Sequence, residues 1–162
     1  MGNKRRFIAE NDFVKNLVKS FGINGIKIEQ YFVKTGKIEE GYRCVNGQYY
    51  HTIKHNSNFS SKKEHHKICS RSEFENNKQY KVGNVIERTK YLMTYEEFNL
   101  EVDVYRGALS GLSICRVNFR SAKEANDFKI PNICGQEITN EAAYDNVHLA
   151  INGLPNDMGN SI

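Results

Sequence analysis

The sequence predicts a mainly β protein, either a barrel or a sandwich, with a few helices at its periphery. Several segments are rich in Tyr, Val, Ile, Phe and Thr, the residue types that fit a pleated sheet surface. Asn46-Gly47 is a strong hairpin signal between two of these segments, because both residues tolerate positive φ. Helical signals are few, so strands must form the body of the fold.

The first predicted element is a helix near the start of the chain. Asn11 or Asp12 could cap this helix, and Gly22 could end it. Its apolar residues recur at the spacing of one helix face: Phe13, Val14, Leu17, Val18 and Phe21.

Most of the remaining elements are predicted strands. They are Lys27–Lys34, Tyr42–Val45, Tyr49–Lys54, Ser72–Glu75, Val85–Met93, Phe98–Arg106 and Leu112–Arg120. The polar segment His55–Ser70 predicts a long loop, and Gly107–Gly111 a hairpin loop. At most a helical turn or two fits around Asn76–Tyr80. Ser121-x-x-Glu124 is a capping box that opens a short helix.

Length and composition favour one cytoplasmic domain. The 162 residues predict a single domain over 1–154 and a C-terminal tail over 155–162. Four scattered cysteines without a C-x-x-C pair favour free thiols over a zinc site or a disulfide framework. No signal peptide or membrane span is visible. A net charge of +4 mildly favours anionic partners but is too weak to indicate nucleic-acid binding, so a nucleic-acid partner is not expected, and the oligomeric state stays open.

Charged residues alternate along several predicted strands. Side chains two positions apart in a strand point the same way. The sets that share a face are Glu101 with Asp103, Arg88 with Lys90, Arg116 with Asn118, and Arg71 with Glu73 and Glu75. A solvent-facing sheet and a closed barrel with a polar lumen both produce this alternation, so the pattern alone leaves both open.

Short motifs that span nearly the whole chain fall in a specific order. They are Glu29-Gln30-Tyr31-Phe32, Gly41-Tyr42-Arg43, Thr52-Ile53-Lys54, Arg71-x-Glu73-x-Glu75, Arg88-Thr89-Lys90-Tyr91, Glu101-Val102-Asp103-Val104-Tyr105 and Gly135-x-Glu137-Ile138-Thr139. Together they resemble the CYTH family of triphosphate tunnel enzymes. The resemblance implies an eight-stranded antiparallel β-barrel with peripheral helices, lined by basic and acidic side chains. It also implies a bound triphosphate or nucleotide and one or two divalent metals.

The motifs that hold the metal in this family are altered here. Against the family's E-x-E-x-K signature, Gly2 and Lys4 stand where the glutamates belong. Arg116 and Asn118 replace the second glutamate pair, and Gly41 replaces the first arginine of R-x-R. Lys4 and Arg116 are positively charged, whereas the glutamates that they replace would bind a metal cation. This exchange predicts that the two side chains pair with phosphate directly.

The predicted function is binding of a nucleotide or other polyphosphate with little or no turnover, as in a sensor or a sequestering protein. No cofactor is expected. The predicted ligand-binding residues are Lys4, Arg6, Arg43, Lys54, Arg71, Glu73, Arg88, Lys90, Asp103 and Arg116. The alternative is a triphosphatase that holds Mg²⁺ or Mn²⁺ on the surviving acids Glu73, Glu75, Glu101 and Asp103. A protein-interaction module on the same shell is a third hypothesis.

The histidines offer a weaker signal. His65-His66 has no acidic or cysteine partner at ligand spacing, so the pair predicts loop residues rather than a zinc site. Lys62-Lys63 and Lys67 could steer an anion towards the same loop.

Overall fold

The computed structural model describes residues 3–56 and 63–155, and the chain divides into two compact units. Unit 1 comprises Met1–Ile26, Arg88–Arg106 and Ser110–Glu141, and unit 2 comprises Lys27–Glu87, Gly107–Leu109 and Ala142–Ile162. Gly2, Lys62 and all of the predicted tail except Pro155 lie outside the described residues. The assignment of 1–154 to a single domain stays a prediction.

Nine strands and four helices make up the described chain. The strands are β1 (Lys4–Ala9), β2 (Ile26–Lys34), β3 (Ile38–Val45), β4 (Gln48–His55), β5 (Lys63–Ile68), β6 (Val82–Tyr95), β7 (Phe98–Arg106), β8 (Ser113–Asn118) and β9 (Cys134–Glu137). The helices are α1 (Asn11–Phe21), α2 (Arg71–Asn77), α3 (Ala122–Asp127) and α4 (Asn146–Asn152). Short 3₁₀ turns lie at Lys78–Tyr80, Gly107–Leu109 and Ala142–Tyr144. No helix in the described ranges is both long enough and apolar enough to cross a membrane.

The strands confirm the predicted antiparallel β fold, but they do not close into the predicted barrel over the described residues. In unit 1 the order is β6–β7–β8–β1–β9, and in unit 2 it is β5–β4–β3–β2–β6, with β6 belonging to both. The registered pairs are antiparallel. Over the described residues the order begins at β5 and ends at β9. Hydrogen bonding therefore produces an open nine-stranded sheet rather than the predicted closed barrel of eight strands.

Unit 1 buries the apolar face of its strands against α1 and α3. Phe7, Val102 and Val117 are fully buried in this core, and Phe98, Phe119 and Phe128 pack ring against ring beside them. Burying one such side chain stabilises the fold by about 1.5–3 kcal/mol. The core takes one face of β1, β7 and β8, so the residues between the apolar ones point to the opposite face.

The ends of α1 and α3 largely follow the sequence signals. Gly22 adopts a φ of 61° and its N–H donates to the carbonyl of Val18, which confirms the predicted end of α1. Its start is different, because Glu10 occupies the N-cap position and the side chain of Asn11 instead accepts a hydrogen bond from the Ser113 hydroxyl. At α3 the Ser121 hydroxyl accepts from the Glu124 N–H at 3.1 Å, as the capping box predicts.

Unit 2 is built on the β3–β4 hairpin. Asn46 and Gly47 adopt φ values of 47° and 85°, which confirms the predicted tight turn. Its core contains Tyr31, Tyr42 and Phe74. The Tyr31 hydroxyl donates to the carbonyl oxygen of Phe74 at 2.5 Å, which fixes α2 against β2.

The predicted strand at Ser72–Glu75 is wrong, because this segment belongs to helix α2. The Ser70 hydroxyl accepts from the Glu73 N–H at 3.0 Å and caps the helix, while Phe74 is buried. In a helix, residues two apart lie on nearly opposite sides. Arg71, Glu73 and Glu75 therefore do not share the single face that a strand would have given them.

The predicted loop at His55–Ser70 is also wrong in part, since it contains β5. This strand pairs with β4 from Tyr50–Ile68 to His55–Lys63. It lies at one end of the strand order, and its residues from Glu64 to Ile68 are exposed. An edge strand with two solvated faces needs no apolar alternation, which is why its polar sequence concealed it.

Candidate functional site

Cross-strand register in unit 1 brings the altered motif positions together. Arg6 lies opposite Arg116 across β1 and β8, and Arg116 lies opposite Glu101 across β8 and β7. In the same way Lys4 lies opposite Asn118. Directly opposed residues share a face of the sheet. This face is the one turned away from the apolar core.

Strand β6 adds two cations to that face. Lys90 Nζ lies 3.4 Å from Glu101 Oε1, and Arg88 Nε lies 3.6 Å from Asp103 Oδ2. Asn118 Nδ2 donates to Glu101 Oε2 at 3.2 Å. Arg88 and Asp103 are both buried. The predicted site residues that belong to unit 1 thus all lie on this one face of the sheet.

We call this assembly the unit 1 polar face. Its members are Lys4, Arg6, Arg88, Lys90, Glu101, Asp103, Tyr105, Arg116 and Asn118. Among them five cationic side chains stand against two carboxylates. Among the buried atoms of the face, Arg116 Nε and Asp103 Oδ1 make no hydrogen bond within the described protein. A surplus of cations with an unsatisfied guanidinium N–H is an arrangement that an anion would complete.

The charges of this face act on Glu101. Burial by itself would raise the pKa of this carboxyl, but Lys90, Arg116 and the hydrogen bond from Asn118 together hold the pKa below its ordinary value. Glu101 is therefore ionised at neutral pH and neutralises part of the positive charge around it.

Tyr105 is a member of the face that the sequence-based list omitted. Burial raises the pKa of its phenol strongly, with a further contribution from Asp103, while Arg88, Arg116 and Arg6 act in the opposite sense. The hydroxyl therefore keeps its proton at neutral pH. The signal was present in the sequence, because Tyr105 continues the alternation of Glu101 and Asp103 along β7.

The Arg6 guanidinium makes hydrogen bonds to the backbone as well as facing the site. Its Nη2 donates to the carbonyl oxygens of Ile138, Thr139 and Glu141 at 3.3, 3.5 and 3.1 Å. These bonds hold the segment after β9 against strand β1. They also restrain the Arg6 side chain, so its positive charge has a fixed position in the site.

Unit 2 holds the other predicted site residues on a separate set of strands. Arg43 lies opposite Tyr50, and its Nη2 lies 3.1 Å from His66 Nδ1 on the β5 side of the hairpin. Lys54 lies opposite both Glu39 and Glu64 in the strand register. This face of unit 2 balances its cations with acids, in contrast to the unit 1 polar face.

The residues of α2 occupy a different environment from the one predicted. Arg71, Glu73 and Glu75 are exposed on the helix, and Glu75 pairs with Lys78 at 3.4 Å. Glu29 also binds Lys78, at 3.1 Å. The contacts described for α2 do not bring Arg71 or Glu73 together with other predicted site residues. Their roles as ligands therefore stay predictions.

The donor set of the described chain does not fit a divalent metal. Nowhere in residues 3–56 and 63–155 do three or more His, Cys, Asp or Glu side chains converge to hold a metal ion. On the unit 1 polar face the two carboxylates already contact Lys90 and Arg88. The other two acids of the predicted metal set, Glu73 and Glu75, are helical residues of unit 2.

Comparison with known proteins decides the family. An inorganic triphosphatase of Acetivibrio thermocellus is 28% identical over 155 residues, which cover 94% of this chain and 95% of that protein. An inorganic triphosphatase of Nitrosomonas europaea is 30% identical over 118 residues, which cover 72% of this chain and 78% of that protein. The chain belongs to the CYTH family of triphosphate tunnel proteins. No family model matches it.

Solved structures agree with the CYTH assignment. The crystal structure of the inorganic triphosphatase NE1496 superposes with a TM-score of 0.72 at 25% identity, over 91% of this chain and 96% of that one. A putative adenylate cyclase from Bacillus halodurans gives a TM-score of 0.55 at 12% identity, over 78% of this chain and 86% of that one, and shows the fold alone.

One departure from the CYTH pattern has a direct steric cause. A Cβ at Gly41 would collide with the carbonyl oxygen of Tyr31, and it would also press on Phe32. The β2–β3 ladder shifts register beside this point, between Phe32 and Lys34. The backbone therefore leaves no room for the arginine that the family motif carries at this position.

Proposed function

We propose that the chain binds the phosphate groups of a nucleotide or an inorganic polyphosphate on the unit 1 polar face, with little or no turnover and no required cofactor. The observation that carries the proposal is the opposition of Arg6 and Arg116, surrounded by three more cations. Like charges placed directly opposite each other destabilise a sheet. A bound polyphosphate would offset that repulsion and satisfy the free Nε of Arg116.

Low turnover follows from what the face lacks. Phosphoryl transfer needs stabilisation of the phosphate charge and a group that orients the nucleophile. The arginines and lysines supply the first, but both oxygens of Glu101 are engaged, by Lys90 and Asn118. The proposed role is that of a sensor or a sequestering protein in the cytoplasm, where nucleotides and polyphosphates are available.

A metal-dependent triphosphatase remains the second candidate. Two curated relatives carry the name inorganic triphosphatase, and Asp103 Oδ1 has no hydrogen-bond partner in the described protein. That oxygen could accept a proton or contact a metal if the ligand brought one.

Calorimetric titration with inorganic tripolyphosphate in EDTA tests the proposal. Arg116→Gln removes a charge-assisted contact worth about 1.5–3 kcal/mol, so we expect affinity to fall about 10- to 150-fold. Arg120→Gln is the matched control, because the Arg120 side chain is 88% exposed and its ion pair in the described chain is with Glu124 of its own segment. Equal affinities for the two variants would contradict the assignment of the site.

Phosphate release separates binding from catalysis. Tripolyphosphate, ATP and GTP are incubated with Mg²⁺ or Mn²⁺, and liberated phosphate is followed over time. Turnover at about 1 s⁻¹ or faster, which is typical of working enzymes, would establish the triphosphatase instead.

A further inference from the structure

We infer that the unit 1 polar face takes its polyphosphate in the metal-free form, so that Mg²⁺ competes with the protein for the ligand instead of assisting its binding. The inference rests on the proposed function and specifies the chemical form of the ligand. Two properties of the face carry it, namely the engagement of its carboxylates and its surplus of positive charge.

Three of the four carboxylate oxygens of the face lie against protein donors, and within the described protein Asp103 Oδ1 is the exception. Glu101 Oε1 faces the Lys90 ammonium at 3.4 Å, and Glu101 Oε2 accepts from Asn118 Nδ2 at 3.2 Å. Asp103 Oδ2 lies 3.6 Å from Arg88 Nε. Mg²⁺ needs six oxygen ligands at short distances and gives up its water reluctantly. With one open carboxylate oxygen on the face, Mg²⁺ would have to displace the Lys90 ammonium and the Asn118 amide to gain further carboxylate ligands, and it would then lie among the cations of the face.

The positive charge favours the uncomplexed ligand. A free triphosphate carries about four negative charges, and chelation by Mg²⁺ removes about two of them. The described cations of the face exceed its carboxylates by three. Chelation therefore weakens the attraction, and it also covers the phosphate oxygens that Lys4 and Arg116 would contact. The surplus of cations that attracts the free anion repels the metal in the complex.

The experiment measures the affinity of the whole chain for tripolyphosphate while the chelated fraction of the ligand is varied. Mg²⁺ is raised stepwise, with NaCl adjusted to keep the ionic strength constant, because screening alone weakens such binding. When nine-tenths of the ligand is chelated, we expect the apparent Kd to rise about tenfold, in inverse proportion to the free fraction. In parallel, Mn²⁺ is titrated into the ligand-free protein and followed by electron paramagnetic resonance, with no saturable binding expected.

The outcomes distinguish this inference from the proposed function. An affinity that does not depend on the chelated fraction would show that both forms bind, which overturns the inference and leaves the proposed function standing. Tighter binding in Mg²⁺, or saturable binding of Mn²⁺ to the ligand-free protein, overturns the inference and favours the metal-dependent alternative. No binding of tripolyphosphate under any condition removes the proposed function itself.

Discussion

Restoring the family's acidic pattern should convert the site from a metal-free one into a metal-dependent one. The triple variant Lys4→Glu, Arg116→Glu and Asn118→Glu places three carboxylates beside Glu101, because Arg116 lies opposite Glu101 and Lys4 lies opposite Asn118. The substitutions change the charge of the face by about five units, from a surplus of three positive charges to a surplus of two negative ones.

The structure gives the size of two expected effects. Loss of two cationic contacts, each worth about 1.5–3 kcal/mol, should weaken metal-free binding of tripolyphosphate at least about 100-fold. Five carboxylates crowded on one face also repel one another, so the variant should be less stable in EDTA. Oxygen-rich clusters are what Mg²⁺ and Mn²⁺ prefer, and binding to the folded state alone raises stability. We therefore expect Mn²⁺ to raise the Tm of the variant but not that of the natural chain.

A control with the same chemical change separates site effects from net charge. Arg120→Glu, Lys123→Glu and Asn126→Glu also exchange one Arg, one Lys and one Asn, at exposed positions on or next to α3. This control should keep metal-free binding within a few-fold and gain no response to Mn²⁺. If the site variant also keeps both properties of the natural chain, Lys4 and Arg116 do not occupy the metal-binding positions of the family, and the alignment is wrong there.

Two further predictions concern stability. Arg5 donates twice to Glu137, at 2.8 and 2.6 Å, and this pairing lowers the pKa of Glu137 to about 2. Because Glu137 is 37% exposed, we discount the shift for screening and expect Glu137→Gln to lower the free energy of unfolding by about 1 kcal/mol at pH 7. The carboxylate's contribution is complete above pH 4.5 and is lost as pH falls towards 2, so urea unfolding should show the variant and the natural chain converging over that range. Gly41→Ala should cost about 1–3 kcal/mol in the same assay, since its Cβ meets the Tyr31 carbonyl. Replacing a glycine by Ala at an uncrowded position with ordinary φ stabilises a protein by about 0.4–1 kcal/mol, so an unchanged or raised stability would contradict the steric explanation of the altered motif.

The part of the site that the sequence could predict is the part that strand alternation controls. Glu101 with Asp103, and Arg116 with Asn118, follow a period of two, and the structure places them as that period requires. The opposition of Arg6 and Arg116 depends on long-range pairing between β1 and β8, and local alternation carries no information about it. The capture of the Arg6 guanidinium by three carbonyls is likewise a consequence of where β9 lies.

The error at α2 lies in a segment whose local signals conflict. Ser70-x-x-Glu73 has the same spacing as the capping box Ser121-x-x-Glu124, and both serines cap a helix. The predicted strand at Ser72–Glu75 rests on residue composition and on the alternation of charged residues from Arg71 to Glu75. The Ser70 cap and the burial of Phe74 favour a helix instead, and they prevail in the fold. Strand β1, strand β9 and helix α4 are short and carried no clear periodic signal of their own.

The opposed arginines connect the stability of unit 1 with its selectivity. A directly opposed like-charge pair costs about 0.2–1 kcal/mol in a sheet, and within residues 3–56 and 63–155 no hydrogen bond at Arg116 Nε offsets that cost. The fold tolerates the pair because three carbonyls fix Arg6 and because Glu101 lies opposite Arg116 on the other side. An anion placed between the two guanidinium groups removes the repulsion, whereas a divalent cation placed there adds to it. The same arrangement that weakens the sheet without ligand therefore favours a free polyanion over its metal complex.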